Sequence, residues 1–303
     1  MRAEILFPEV CNLYGDLQNI YYLKRCCPEL EIVETDLKSR PAFLDGDVTL
    51  VFMGSTTEQG LQLAADALRP YRNAIAERID AGQLFLATGN ALDILGDAID
   101  SDAAPRIEGL GLLPTRAEYH MMQRHNSYYV GKFGEMDIVG FKSLFGHSHG
   151  MGEALFDTVK GVGRDGQENS GEGFRRGGLM ATYLIGPLLI LNPPLCKWLL
   201  REMGAASDAL AFEDAAMDSY RKRVAEFMEP GRSWKYGPGT ISDDFAANAP
   251  PLTRGLSSVC ETGGETGAAP HVLRLSALPP SRLTPSHLPR QREAIMATLR
   301  CAD

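Results

Sequence analysis

Two short apolar runs, each closed by glycine, most restrict what this chain can fold into. Asp47 to Met53 (Asp-Val-Thr-Leu-Val-Phe-Met) is β-branched and apolar and stops at Gly54; Leu84 to Ala87 stops at Thr88-Gly89-Asn90. Runs of this kind, without polar alternation, suit parallel strands covered on both faces. Ala3 to Phe7 and Glu31 to Glu34 read as further strands, and Leu179 to Ile185 as a late one. Helical periodicity lies between them, from Gly15 to Cys26, Leu61 to Ala81 and Ala91 to Leu95. Strand and helix in alternation predict an α/β fold with a mostly parallel, doubly wound sheet.

Farther on the pattern changes. Arg106 to Ile138 is strand-like but irregular, and a Gly-rich stretch from Gly161 to Gly178 reads as a surface loop. Pro194 to Arg201 and Asp208 to Met228 read as helices. After Glu229, Pro, Gly, Ser and Thr are frequent and periodicity is lost, a composition that buries too little apolar surface to offset its ordering entropy. The expected organisation is one domain over 1–228 and a disordered tail over 229–303, or a tail produced by a shifted reading frame.

Composition narrows the function classes. Net charge is −9, with 39 Asp and Glu against 30 Lys and Arg, and no long basic run, so no nucleic-acid partner is expected. Leu184 to Leu191, the most apolar stretch, is too short to span a bilayer and holds Gly186 and Pro187, so no membrane insertion is expected either. With no secretory signal at the N-terminus, the expectation is a cytoplasmic protein. The 6 cysteines form no CxxC pair, and free thiols are expected.

Chemistry is expected where the strand Leu84 to Ala87 turns sharply into the helix from Ala91. This is the outline of a nucleophile elbow, in which the turn residue sits in strained geometry above the sheet edge. Four further patches stand in order around it: Cys11-Asn12-Leu13-Tyr14-Gly15-Asp16 with Asn19-Ile20; Met53-Gly54 with Glu58-Gln59; Glu108-Gly109-Leu110-Gly111-Leu112-Leu113; and Thr182-Tyr183-Leu184 with Gly186-Pro187-Leu188-Leu189 and Asn192-Pro193. Together, over about residues 3–203, they resemble the class I glutamine amidotransferases, in particular the glutaminase subunit of lipid II isoglutaminyl synthase and its cobyric-acid-synthase-like relatives.

The resemblance implies a flavodoxin-like fold, oxyanion-type backbone amides at Gly54 and Asn90, and a partner: a Mur-ligase-like, ATP-dependent amide ligase, joined as a heterodimer in peptidoglycan stem-peptide amidation. It implies no cofactor. It also places the family's nucleophile at Gly89, its general base at Ile185 and, by a looser match after Phe145-Gly146, its substrate-binding arginine at His147. Glycine carries no nucleophile and isoleucine exchanges no proton, so the expectation is a pseudoenzyme, the alternatives being an active amidotransferase subunit that supplies ammonia or a small-ligand-binding module reusing the old pocket. Glycine also adopts freely the positive φ that costs other residues about 1–3 kcal/mol. On this reading Gly89→Cys with Ile185→His is the smallest repair worth testing.

Other chemistry-bearing residues have plainer readings. Thr88 is taken as packing, Asp93 as a solvated helix carboxylate and Arg175-Arg176 as a solvated pair. His147-Ser148-His149 has the spacing of some metal sites but no accompanying carboxylate or cysteine motif, so no metal is expected.

Overall fold

In the computed structural model, residues 1–235 are described. The chain divides into two units, Met1–Phe245 and Ala246–Asp303, and the description concerns the first. Most of the expected tail, residues 236–303, lies outside the described residues.

The first unit is built on a six-stranded sheet. Its members are β1 (Arg2–Leu6), β2 (Glu31–Thr35), β3 (Leu50–Met53), β4 (Leu84–Thr88) and, after intervening strands, β12 (Phe174–Arg176) and β13 (Leu179–Thr182), in the order β12-β13-β4-β3-β1-β2. All pairings are parallel except β12 with β13. The expected α/β, flavodoxin-like doubly wound sheet is what forms.

The pleat explains why the strand runs lack polar alternation. Val51, Met53, Phe85, Ala87, Leu179 and Ala181 belong to one core cluster, whereas Leu50, Phe52, Leu86 and Met180 belong to the other. Helices α2 (Glu58–Leu68) and α3 (Arg72–Asp80) cover the first face. Helices α1 (Gln18–Cys26), α5 (Leu188–Leu191) and α6 (Pro193–Glu202) cover the second. The single helix expected over Leu61 to Ala81 is two, because Pro70 lies in a tight turn between them, where its missing N–H costs no α-helical bond.

Two smaller sheets complete the unit. One holds β5 (Ala98–Ser101), β6 (Ile107–Glu108), β7 (Thr115–Tyr119) and β10 (Gly146–Gly150); the other holds β8 (His125–Phe133), β9 (Met136–Leu144) and β11 (Asp157–Lys160). A short helix, α4 (Ala91–Ile94), follows β4, and α7 (Glu213–Phe227) packs on β8 and β9. Hydrogen bonding continues past the expected domain end at 228, since Tyr128 N–H donates to Trp234 O at 2.7 Å and Ser127 bridges to Lys235. No helix among the described residues is long and apolar enough to cross a membrane.

The Gly161–Gly178 stretch is not a simple surface loop. It enters the core through Glu172, whose side chain is fully buried and binds the Lys142 ammonium. Lys142 Nζ also donates to Val162 O at 2.7 Å and to Gly163 O at 2.9 Å. Glu172 Oε1 in turn accepts from Thr182 Oγ1 (2.9 Å) and Tyr183 N (2.8 Å). Arg176, expected in a solvated pair, is partly exposed, and its guanidinium grips Asp80 through two surface bonds of 2.9 and 2.7 Å.

Candidate functional site

A cleft of about 620 Å³, open mouth included, lies beyond the carboxyl ends of β3, β4 and β13. That is where open α/β sheets present ligand sites. Its walls include Leu13 and Tyr14 after β1, Ser55 to Glu58 after β3, Gly89 and Asn90 after β4, and Tyr183 and Ile185 after β13.

The elbow is present. Gly89 has φ +60 directly after β4, and α4 starts two residues later. A Cβ built on Gly89 would collide with Ser55 Oγ, lie 2.8 Å from Ser55 Cβ and 3.3 Å from Ile185 Cγ2. Gly89 and Ile185 are therefore neighbours across the cleft, and Ser55 is the third member of the group. Ser55 was not singled out in the sequence; its only signal was a hydroxyl residue inside a turn that otherwise resembles a Gly-rich one.

Ser55 is held rigidly. Its N–H and hydroxyl both donate to Asp16 Oδ2, at 2.8 and 2.7 Å, and Thr88 Oγ1 donates to the same oxygen at 2.9 Å. Thr88 thus ties the end of β4 to Asp16. Burial raises the Asp16 pKa while these donors oppose the rise. Gly89→Ala meets both the positive φ and the Ser55 collision, and is expected to cost at least about 1–3 kcal/mol in urea denaturation. An unchanged midpoint would show that the turn relaxes.

Gly54 and Asn90, the residues expected to offer oxyanion amides, have the following surroundings. Gly54 is buried, and a Cβ there would stand 2.7 Å from Cys11 O, so its glycine permits a close backbone approach. The next amide, that of Ser55, is taken by Asp16. Asn90 lines the cleft, but its side chain makes a reciprocal pair with Thr56: Thr56 N to Oδ1 at 2.9 Å, and Nδ2 to Thr56 O at 2.8 Å.

His147 is not among the cleft-lining residues. It sits in β10, its ring 5.1 Å from that of His125, with Nδ1 buried and unpartnered. Burial lowers its pKa to about 4, so at neutral pH it carries no charge with which to hold a carboxylate. The cation that does line the cleft is Arg124, stacked 4.4 Å over the Phe145 ring. Among the described residues no group of three or more His, Cys, Asp or Glu is placed to hold a metal ion.

Asp93 departs most from its expected state. It is 1% exposed rather than solvated, because α4 is a single turn packed between the main sheet and the small sheet of β5 and β7. Three hydroxyls surround it: Tyr183 at 2.5 Å, Tyr119 at 2.6 Å and Ser148 at 2.9 Å. Desolvation outweighs these donors and raises its pKa to about 6. The protonated form is favoured in the fold, so Asp93 stabilises at low pH, and that contribution is lost as pH rises from about 4 through 6. Asp93→Asn is expected to flatten this part of a stability–pH curve, where about 3 kcal/mol is at stake. An undiminished slope in the variant would assign the loss to another group.

With this geometry in place, two curated relatives become informative. The lipid II isoglutaminyl synthase (glutamine-hydrolyzing) subunit GatD of Staphylococcus aureus (strain N315) is 26% identical over 212 residues, covering 69% of this chain and 86% of that protein. The subunit of the same name from Streptococcus pneumoniae (strain ATCC BAA-255 / R6) is 24% identical over 223 residues, covering 69% and 84%. The chain is a glutamine-amidotransferase-like relative of these subunits. No family profile matches it. Among solved structures, PurLQS from Thermotoga maritima aligns with a TM-score of 0.45 at 15% identity, covering 74% of this chain and 98% of that one. A structure described as a glutamine amidotransferase aligns with a TM-score of 0.46 at 14% identity, covering 67% and 99%.

Within this amidotransferase-like relative, the convergent cleft group consists of a glycine, an isoleucine and a serine locked to a carboxylate. None of these is a thiol or an imidazole. The Ser55 hydroxyl is committed to Asp16, and Ile185 supplies only methyl groups beside Gly89.

Proposed function

We propose that this chain is a glutaminase-like subunit of lipid II amidation that does not hydrolyse glutamine. On this reading Gly89 occupies the family's nucleophile position and Ile185 its base position. The observation that carries it is their contact: the elbow residue at φ +60 has Ile185 Cγ2 3.3 Å from where its Cβ would stand. A nucleophile and its base must meet in this way, and here the meeting is apolar.

The role left is that of a structural or regulatory partner to a Mur-ligase-like, ATP-dependent amide ligase, which would then draw on free ammonia. The partner comes from the relatives' name and the resemblance, and is an argument by analogy. Co-purification tests it: a Mur-ligase-like protein should come down with the tagged chain from its native cells. If the chain elutes alone under conditions that preserve comparable complexes, the partner reading fails.

A second reading has one observation in its favour. The cleft remains open, with Arg124 and Glu58 in its walls, so an amino acid or other small zwitterion has both charges to meet. Thermal-shift screening with amino acids separates the two readings, because saturating ligand raises stability by about 2.7 kcal/mol at a hundredfold excess over Kd.

A further inference from the structure

A second hollow, larger than the cleft, lies against α2. It encloses about 990 Å³, open mouth included, where the cleft encloses about 620 Å³. Its apolar walls are Leu61 in α2, Ile99 in β5, Pro105 in the β5–β6 connection, Ile107 in β6 and Met121 just after β7. It shares Glu58 and Tyr119 with the cleft, but not Gly89, Arg124 or Ile185. A space of this size, mostly apolar with few polar groups, has the make-up of a small-ligand site.

The polar groups in its walls are nearly all committed. Ser101 Oγ accepts from Ala103 N at 3.2 Å, Gln62 Nε2 donates to Asp66 at 2.8 Å, and the Tyr119 hydroxyl turns to Asp93 at 2.6 Å. Gln59 is exposed and neutral. Glu58 is the one charged residue lining the hollow, half-buried at the start of α2. Its carboxylate makes no hydrogen bond or ion pair with another described residue. An apolar space with one unmatched carboxylate selects for a ligand that brings a cation and an apolar body together. A neutral apolar ligand would leave the carboxylate without a donor, and an anionic one would set like charges side by side.

We propose that this hollow binds a small primary amine with an extended apolar body. The hydrocarbon part lies on Leu61, Ile99, Ile107 and Met121, and the ammonium donates to the Glu58 carboxylate. The site is separate from any amino acid held by Arg124 in the cleft, and it stands whether or not the cleft is occupied.

Isothermal titration of the full chain with butylamine, hexylamine and octylamine reads the apolar part, and affinity should rise about fourfold per methylene. Octanoate, of the same length and opposite charge, should bind at least about tenfold more weakly than octylamine. Glu58→Gln should weaken octylamine about tenfold and leave 1-octanol unchanged. Ala104→Trp, at an exposed position in the wall, should remove the binding of both. The unaltered chain with methyl-labelled methionine gives a reading that no substitution disturbs. In its NMR spectrum octylamine should shift the Met121 signal and leave in place that of Met151, which is 82% exposed and outside the hollow. Absence of octylamine binding, or octylamine binding no tighter than butylamine or octanoate, overturns the proposal. So does binding that persists in Ala104→Trp or leaves Met121 unmoved.

Discussion

Purified chain incubated with glutamine should release no glutamate above the blank, and neither Gly89→Cys nor Gly89→Cys with Ile185→His should change that. The sequence alone makes the double variant the natural repair, since it restores a thiol and an imidazole. The structure adds an obstacle. A Cβ at position 89 meets Ser55 Oγ and stands 2.8 Å from Ser55 Cβ. Ser55 cannot swing aside cheaply, because its N–H and hydroxyl are both bonded to Asp16. Alanine at position 55 would keep the offending Cβ, so the change must be to glycine. The expected minimal repair is therefore the triple variant Ser55→Gly, Gly89→Cys, Ile185→His.

The size of the effect makes the experiment decisive. Removing a catalytic nucleophile or its base costs on the order of 10⁶ in kcat in enzymes where they act as a unit. Even a poor restoration should therefore rise clearly above background. Glutamate release by the unaltered chain would sink the inactive reading. Release by the double variant would show that Ser55 moves and that the steric argument is wrong.

Lys142→Met should cost about 3–5 kcal/mol of stability, the largest loss expected from any single change away from the elbow. Lys142 is fully buried, and its removal strands the Glu172 carboxylate in the core with only the Thr182 hydroxyl and Tyr183 amide. A loss of this size consumes much of a typical domain's 5–15 kcal/mol. Combining Lys142→Met with Glu172→Gln removes the uncompensated charge while keeping an acceptor, and should recover most of the loss. Urea denaturation of the two variants checks both statements. If the double variant is as unstable as the single one, the cost arises from packing rather than charge.

The sheet was legible because each strand's own residues report it: parallel strands covered twice must be apolar on successive positions, as β3 and β4 are. The elbow was legible for the same local reason, a buried strand stopping at a glycine before a helix. Features assembled from distant segments were not. Ser55 matters only because β3 and β4 lie side by side, which brings its hydroxyl over Gly89. Asp93 reads as a helix-surface carboxylate until Tyr119, Ser148 and Tyr183 close over it from three other segments. Lys142 and Glu172 each look solvated in isolation; they are buried because each makes the other's burial tolerable. His147 was placed by a loose match of small residues, and the strand it lies in sets it apart from the cleft wall.

Asp16 gathers the turn after β1, the turn after β3 and the end of β4 onto one oxygen. Three walls that could have drifted independently are thereby fastened to a single post. The cavity keeps its outline whether or not anything fills it, so whatever enters need not spend its binding energy on shaping the walls. In mechanical terms the chain offers a finished socket, and that would hold even for a version of it that performs no reaction at all.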